Sequence, residues 1–414
     1  MTPPLYIALR FLGHRKRAFF LSLLGVVFGL SIFICTQAQT QGFARRFIQS
    51  TLGSNGALVL SEPIRPSGSG LPVPPKGASG KAAASHRRID DGISNVREIM
   101  RVSQEFTNVA SCSPVLRGTL SARAGFQNAT VDLWGIDAGL HLQTTNLKDE
   151  IIEGSLDAFR NDTSSLIVGP ILASRLNIAA GDSLQLLAPN GEYWRFTVAA
   201  IAQSGVGAID SGRMYAHTKI AQALLHKPYA ATMIIYKLRD TERAPALAAR
   251  FQSLFQHEAE SWQEREAGNL QLFLTLRMSA AITVSLIILL AGFGIYNVLT
   301  LSVLSKVKEI AILRSIGYRQ RDIGAIFLWQ GAMIAAAGSV LGCSGGALMT
   351  WAVSQIPIRV RGLLVADHFL VAWDWRNYLW GIVLGTIAVL IASYVPARRA
   401  AALQPVETLR GSGA

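Results

Sequence analysis

Four long stretches without a charged residue constrain this 414-residue chain more than any other feature. Each is at least as long as the ~20 residues needed to cross a hydrocarbon layer of ~30 Å. One Lys, Arg or Asp at the centre of a span costs roughly 2.5–3.5 kcal/mol on insertion, so four such absences indicate a membrane protein. The uncharged stretches are Ala18–Phe43, Met278–Ser305, Ile323–Ile358 and Asn377–Ala397. Within them we place transmembrane α-helices at residues 18–37, 278–304, 324–353 and 377–395.

Composition agrees with this interpretation, because 50% of the residues are hydrophobic and only 16% are charged. The basic run Arg15–Arg17 precedes the first apolar stretch, as it would in a signal peptide. That stretch is long and no A-x-A cleavage site follows it, so we interpret it as a span. The cysteines, Cys35, Cys112 and Cys343, imply no disulfide framework.

The net charge of +13 would suit a nucleic-acid-binding protein, but much of the basic excess lies beside the spans. The flanking basic residues are Arg10, Arg15, Lys16, Arg17, Lys306, Lys308, Arg314, Arg319, Arg321, Arg398, Arg399 and Arg410. By the positive-inside rule, residues 1–17, 305–322 and 396–414 are cytoplasmic and the loop 354–376 is external. Arg359 and Arg361 in that loop run against the rule but are outnumbered. No nucleic-acid partner is implied.

With both termini inside, residues 38–276 form one large extracytoplasmic domain between the first and second spans. Its residue patterns mix strands with helices, which predicts an α+β domain. We expect strands at Ala57–Leu60, Leu116–Ala124, Asn128–Gly135, Ser183–Leu187, Tyr193–Ala202 and Thr232–Leu238. We expect helices at Gln41–Leu52, Ile93–Gln104 and Thr241–Gln263. The section Pro63–Ser85 is rich in Pro, Gly, Ser and Ala, which is typical of a flexible spacer.

Glycines recur every four residues in three of the spans, which places each set on one helix face and allows close backbone approach. The sets are Gly25 and Gly29; Gly338, Gly342 and Gly346; and Gly381 and Gly385. They predict helix packing within the chain or against a second subunit. The alternative is that glycine is simply common in membrane helices.

Motifs for catalysis or metal binding are absent from the sequence. The nearest approach to a phosphate-binding loop, Gly80–Ala82, lacks both the first glycine and the hydroxyl that reaches Mg²⁺. The seven histidines are scattered and no zinc-binding pattern occurs. Gly342–Gly346 fits G-x-S-x-G but lies in an apolar helix. No charge lies inside a span, which argues against a proton relay. We therefore predict no enzyme, no cofactor and no metal site on this chain.

The cytoplasmic segment 305–322 carries the most informative pattern. Ile310, Leu313 and Ile316 recur every three residues, which predicts a short amphipathic helix that ends near Gly317. Such a helix lies on the membrane surface or docks a soluble motor protein. The candidate docking residues are Glu309, Ile310, Ile312, Leu313, Arg314, Ile316 and Gly317.

This segment resembles the coupling helix of the FtsX-like permease superfamily, whose pattern is Glu-Ile-x-Ile-Leu-(Arg/Lys)-x-(Ile/Leu)-Gly. The C-terminal stretches Pro396–Ala401 and Gln404–Arg410 resemble the ending common in the same superfamily. Within it, the chain is most similar to the LolC/LolE lipoprotein-releasing permeases. The residues that carry this likeness are Leu5–Arg10, Leu166–Gly169, Leu176, Gly181–Asp182 and Ser261–Gln263. Two features depart from these permeases: Pro63–Ser85 looks like an insertion, and the hairpin Pro189–Tyr193 is shorter than the hook by which LolC grips its periplasmic carrier.

The resemblance implies a multi-pass ABC permease of the bacterial inner membrane, with a porter-like external domain that contains an inserted subdomain. A separate LolD-like ATPase dimer would bind ATP and Mg²⁺ and push on the coupling helix. A second permease copy or a homologous permease would complete the complex, whose cargo would be a lipoprotein or another amphiphile. Two alternatives stay open: a macrolide- or peptide-exporting permease with a membrane-fusion partner, and a signalling permease that controls a cell-wall hydrolase.

Overall fold

The computed structural model describes residues 16–63, 92–93, 95–227, 231–357 and 368–402. These residues divide into a helical unit (16–45, 271–357 and 368–402) and a sheet unit (46–63, 92–93, 95–227 and 231–270). Several expectations fall outside the described residues. They concern the N-terminal stretch Leu5–Arg10, the spacer from residue 64 onward, the loop arginines 359 and 361, and the C-terminal stretch Gln404–Arg410.

The secondary-structure elements are numbered in chain order. The helices are α1 (Lys16–Asn55), α2 (Val96–Gln104), α3 (Ala138–Thr144), α4 (Leu156–Asn161), α5 (Pro170–Leu176), α6 (Gly207–Gly212), α7 (Thr218–Leu224), α8 (Ala244–Phe255), α9 (Trp262–Arg265), α10 (Ala267–Ser305), α11 (Val307–Ser315), α12 (Gln320–Ser354) and α13 (Trp375–Ala402). The strands are β1 (Leu58–Pro63), β2 (Val109–Ala124), β3 (Gln127–Ile136), β4 (Ile151–Gly154), β5 (Ser165–Val168), β6 (Ser183–Leu187), β7 (Tyr193–Ala202), β8 (Arg213–His217), β9 (Met233–Leu238) and β10 (His257–Ser261).

Four helices in the described part of the chain, α1, α10, α12 and α13, are long and apolar enough to cross a membrane. Three of them, α1, α10 and α13, are longer than their uncharged stretches, and α13 includes Arg376, Arg398 and Arg399. Helix α1 continues through polar residues to Asn55, and α10 begins at Ala267, eleven residues before the uncharged stretch that starts at Met278. Hydropathy marks where lipid contact ends, whereas a helix continues until its backbone hydrogen bonding is broken.

The sheet unit is built on one mixed sheet, in which the described residues form ten strands in the order β10-β1-β9-β2-β3-β8-β5-β7-β4, with β6 paired to β2 and β7. The β3–β8 and β5–β7 pairs are parallel, and the others are antiparallel. Helices α5 and α7 pack on strands β2, β3 and β5–β8, while α2 and α8 pack on β1 and β9. The predicted architecture, four apolar helices with an α+β domain between the first two, is confirmed.

The predicted helix Thr241–Gln263 is wrong over its second half. Helix α8 ends at Phe255, because Gln256 adopts the left-handed conformation (φ 54°) that closes a helix. The next residues alternate between buried and exposed, as expected for a strand, and form β10. Strand β10 pairs with β1, so that Leu58 lies opposite Ser261. Ser261 then caps the short helix α9 with Glu264 in a capping box.

Candidate functional site

Helix α11 is a short, well-terminated helix between α10 and α12. The Lys306 ammonium lies 2.6 Å from a Glu309 carboxylate oxygen across its first turn. Its last turn is closed by the Tyr318 amide, which donates to the Leu313 carbonyl, and by Gly317 at φ 107°. A positive φ at this position suits glycine, which has no Cβ to clash with the preceding turn. The boundaries of the helix therefore follow from its local sequence.

Burial divides the isoleucines of α11 between two opposite faces. Ile310 is fully buried in a cluster with Val303, Ile323 and Phe327, which lie on α10 and α12. Ile312 and Ile316, by contrast, are 54% and 72% exposed. Ile310 therefore anchors the helix to its own unit, whereas the other two isoleucines are presented outward.

The outward face of α11 consists of Lys308, Ile312 and Ser315, together with Ile316, the residue that caps the helix; all four are exposed and are spaced four, three and one residues apart. This is the spacing of one helix face. Among the remaining candidate docking residues, Leu313, Glu309 and Arg314 are half-buried and Gly317 is exposed. The sequence signal for the exposed face was the 3.6-residue period that starts from Lys308, whereas the three-residue repeat that starts from Ile310 begins on the buried face.

The glycine row of α12 faces α1. A Cβ placed at Gly338 would lie 2.7 Å from a Val26 side-chain carbon, and at Gly342 2.7 Å from a Leu30 side-chain carbon. At Gly346 it would lie 2.9 Å from the Ile34 Cβ. The contacted residues are themselves four apart, so glycines on one helix receive a row of branched side chains from the other.

The other glycine pairs are less tightly surrounded. A Cβ at Gly25 or Gly29 would make ordinary contact with α10, at 3.4 Å and 3.7 Å. At Gly381 it would lie 2.5 Å from the end of the Leu30 side chain, whereas at Gly385 it would meet no atom within 4 Å. Close packing is therefore concentrated between α1 and α12, with Gly381 at its edge.

A cleft of about 460 Å³ lies between α1 and α10 in the helical unit, near the end of α1 that leads toward Asn55. Its lining residues are Ile32, Thr36, Gln39, Thr40, Phe43, Phe273, Leu276, Ser279, Ala280, Thr283, Val284, Ile287, Phe369 and Leu370. None of these side chains is charged, and the polar ones are hydroxyls and one amide. The cleft therefore combines an apolar surface with uncharged hydrogen-bonding groups, which suits an amphiphilic molecule. Sequence reasoning did not identify it.

The sheet unit contains a buried guanidinium, that of Arg213 on strand β8, which contacts the C-terminal end of α1. It lies 3.5 Å from the centre of the Trp134 ring. Arg213 donates hydrogen bonds to the Asn55 side-chain oxygen at 2.7 Å and to the Ser54 carbonyl at 3.4 Å. A cation at the C-terminal end of a helix interacts favourably with the free carbonyls there. Arg213 therefore fixes the end of α1 to strand β8.

Two titratable groups beside Arg213 have strongly shifted pKa values. Burial raises the pKa of Glu150 to about 7, although a hydrogen bond from Ser54 and the nearby Arg213 charge oppose the shift. Burial, assisted by Arg213, lowers the pKa of His141 to about 3. No group of three or more His, Cys, Asp or Glu within the described residues is arranged to hold a metal ion. Because Arg213 binds the last turn of α1 and Glu150 accepts a hydrogen bond from Ser54 in the same turn, we interpret this cluster as structural.

Comparisons with known proteins extend over most of the chain. The model of the MacB-like periplasmic core domain matches residues 19–254, and that of the FtsX-like permease C-terminal domain matches residues 281–405. The lipoprotein-releasing system transmembrane protein LolC of Neisseria meningitidis serogroup B is 24% identical over 434 aligned positions, which cover 98% of both chains. LolC of Xylella fastidiosa strain Temecula1 is 25% identical and covers 99% of this chain and 100% of its own length.

Other similarities are partial. The macrolide export ATP-binding/permease protein MacB of Psychrobacter arcticus is 32% identical over 136 residues, which are 33% of this chain and 19% of MacB. Among solved structures, the extracellular domain of the transporter YknZ from Gram-positive bacteria matches with a TM-score of 0.34 at 10% identity, over 50% of this chain and 98% of its own. Since the MacB-like model alone matches more than half of the 414 residues and the FtsX-like model follows it in order, this chain belongs to the family of FtsX-like ABC-transporter permeases with a MacB-like periplasmic core domain.

Proposed function

We propose that this chain is the permease subunit of an inner-membrane ABC system in which a separate ATPase drives release of lipoprotein, or of a similar amphiphile, from the membrane. The similarity to LolC, a protein of a lipoprotein-releasing system, extends over nearly the whole chain. The similarity to the macrolide exporter covers one third of it. This difference in extent favours release over macrolide export.

The outward face of α11 is the observation that carries this proposal. Two isoleucines more than half exposed, beside Lys308, form a small apolar patch on a helix whose opposite face is anchored by Ile310. A rigid helix with an exposed apolar patch suits insertion into a groove on a soluble partner. We assign that partner as a LolD-like ATPase dimer, which would bind the ATP and Mg²⁺.

In the proposed orientation, α11 and both chain termini are cytoplasmic and the sheet unit is periplasmic. Helices α1 and α10 have residues in both units, since the sheet unit begins at Arg46 within α1 and ends at Leu270 within α10. A continuous helix transmits displacement along its axis because its backbone hydrogen bonds resist bending. Closure of the ATPase dimer would therefore move the periplasmic domain through these helices.

The cleft between α1 and α10 supports an amphiphile as cargo. Its lining has no charge that would bind an ion, and its apolar side chains suit acyl chains. The hydroxyls of Thr40 and Thr283 donate to carbonyls of their own helices, and their oxygens can still accept a hydrogen bond from an amide N–H near the head of such a molecule. A second permease, either another copy or a homologue, would complete the complex.

The test of ATPase docking is affinity purification from gently solubilised native membranes, followed by mass spectrometry of the bound proteins. We expect the wild-type chain to recover a soluble ATPase, and the double variant Ile312→Asp with Ile316→Asp to lose it by at least tenfold. Both side chains are exposed, so the variant should still fold and insert. A matched control is Gln320→Asp, an exposed position beyond the end of α11.

Retention of the ATPase by the double variant would contradict docking through α11. Substitution of Ile310 is unsuitable for this purpose. Burying a carboxylate in its apolar cluster would destabilise the helical unit whether or not an ATPase binds.

A further inference from the structure

One wall of the cleft is a short non-helical segment before α13. Phe369 and Leu370 line the cleft, and the following residues lead to Asp374 at the start of α13. The Asp374 carboxylate accepts a hydrogen bond from the Arg376 amide, as a helix-capping residue does. We call residues 369–374 the wall segment.

The first turn of α13, which directly follows the wall segment, is fastened to α1 by a reciprocal pair of side-chain amides. Gln41 donates to the Asn377 oxygen at 2.8 Å, and Asn377 donates to the Gln41 oxygen at 3.1 Å. Asn377 is only 5% exposed. Each side-chain amide donates one hydrogen bond to the other and accepts one from it. Replacing either residue would therefore leave a donor and an acceptor of its partner unsatisfied in a largely buried place.

Further contacts fasten the wall segment itself to α1, at positions on both sides of Gln41 along that helix. The Ala372 amide donates to the Ala38 carbonyl at 2.9 Å, and Arg45 lies 2.7 Å from the Asp374 carboxylate. A Cβ at Gly42 would lie 2.6 Å from the Leu370 carbonyl oxygen and the Val371 Cα, so the two backbones meet where only glycine fits. Ala38, Gln41, Gly42 and Arg45 lie on one face of α1 at helical spacing.

The opposite wall of the cleft is held differently. On α10, the Thr283 hydroxyl donates to the Ser279 carbonyl of its own helix. Across the cleft, the Phe43 and Phe273 rings meet edge to face, with centroids 5.7 Å apart. Apolar contacts of this kind allow sliding more readily than directional hydrogen bonds do. Beside the cleft, the two walls thus differ in the contacts that hold them to α1: hydrogen bonds on one side and a ring contact on the other.

We propose that Gln41 and Asn377 are positioning residues that latch the start of α13, and with it the adjoining wall segment, to α1 and so give the cleft one fixed side, against which α10 moves when cargo enters or leaves. This inference rests on the proposed function, because it assigns the cleft to amphiphilic cargo. Beyond that function, it identifies which wall of the cleft stays fixed to α1 and which side chains fix it. The latch acts on cargo only through Phe369 and Leu370.

The test uses the full-length chain in phospholipid nanodiscs with two readouts. Hydrogen–deuterium exchange of the peptide that contains Ala372 reports the latch itself, without any cargo. Binding of a fluorescently labelled diacylated lipopeptide reports the shape of the cleft. We compare the wild type with Asn377→Leu, with the exchanged pair Gln41→Asn plus Asn377→Gln, and with Gln37→Leu, which removes another buried amide from α1.

We expect Asn377→Leu to accelerate exchange at Ala372 about tenfold and to weaken lipopeptide binding about five- to tenfold, since losing a buried hydrogen-bonding partner changes a local equilibrium on this scale. The exchanged pair restores both values to near wild type, and Gln37→Leu leaves both unchanged. Unchanged exchange in Asn377→Leu would overturn the latch. Faster exchange with unchanged binding would overturn its role in positioning the cleft. A wild-type chain that shows slow exchange but binds no lipopeptide would instead contradict the proposed cargo.

Discussion

At the scale of single residues, Ile310 and Ile312 are two positions apart on α11 yet face opposite directions. The first is fully buried and the second is 54% exposed. A substitution at Ile310 therefore tests folding, whereas a substitution at Ile312 tests association with the proposed ATPase. Glu150 and His141 form a second informative pair, since burial shifts their pKa values in opposite directions within the same cluster.

The stability of the chain should depend on pH through Glu150. Its pKa rises from 4.5 in the unfolded chain to about 7 in the folded one. Between these values only the folded chain holds the proton, so this group's contribution to stability is lost as pH rises through about 7. His141 acts in the opposite direction, because the unfolded chain alone is protonated between pH 3 and 6.5. The two contributions partly cancel in the wild type.

The variant Glu150→Gln separates them, because glutamine resembles the neutral carboxyl at every pH. We expect wild type and variant to unfold at similar temperatures near pH 5, and the variant to be more stable by about 1–3 kcal/mol at pH 8. Tryptophan fluorescence during heating of the full-length chain in detergent measures this difference. Asp149→Asn, which removes an exposed neighbouring carboxyl, is the control. A constant difference between pH 5 and 8 would contradict the raised pKa.

At the scale of elements, the contact between α1 and α12 depends on the absence of side chains at three glycines. A Cβ at Gly342 would lie 2.9 Å from the Leu30 Cβ, an atom that rotation of the leucine side chain does not displace. Gly385, on α13, has no atom within 4 Å of the same position. The two glycines belong to similar sequence patterns but have different surroundings.

We therefore expect alanine substitutions at the two positions to have opposite effects. Gly342→Ala should destabilise the chain by about 1–3 kcal/mol through overpacking. Gly385→Ala should be neutral or stabilising by up to about 1 kcal/mol, since alanine is the better helix former. Thermal unfolding in detergent distinguishes them. Equal effects of the two substitutions would show that the close approach at Leu30 does not exist.

The sequence was sufficient to predict the four apolar helices, the α+β domain and the helix at residues 307–315, because each is specified by local periodicity or by the exclusion of charge. It did not reveal which face of α11 is buried, since Ile310 packs against residues from α10 and α12. The strand at His257–Ser261 was missed for a similar reason: its partner, β1, is about 200 residues earlier in the chain. In both cases, contacts between separate secondary-structure elements determined the structure.

At the scale of the whole molecule, three features lie along one proposed path. In the proposed function, the outward face of α11 would receive the ATPase, α1 and α10 would transmit the motion, and the cleft between them would hold the amphiphile. In the sheet unit, Arg213 binds the last turn of α1, and Arg265 of α9, the helix that precedes α10, donates to the Gly56 carbonyl at 3.0 Å. Strands β1 and β10, which follow α1 and precede α10, are paired with each other.

The measurement that tests this account most directly is ATP-dependent release of a labelled lipoprotein from proteoliposomes that contain the complex purified from native membranes. We predict that ATP releases the lipoprotein in the presence of the wild-type chain. The double variant Ile312→Asp with Ile316→Asp should leave it in the membrane, and Gln320→Asp should behave like the wild type. ATP hydrolysis by an intact wild-type complex without release of lipoprotein, or with a cell-wall hydrolase bound in place of cargo, would contradict the account.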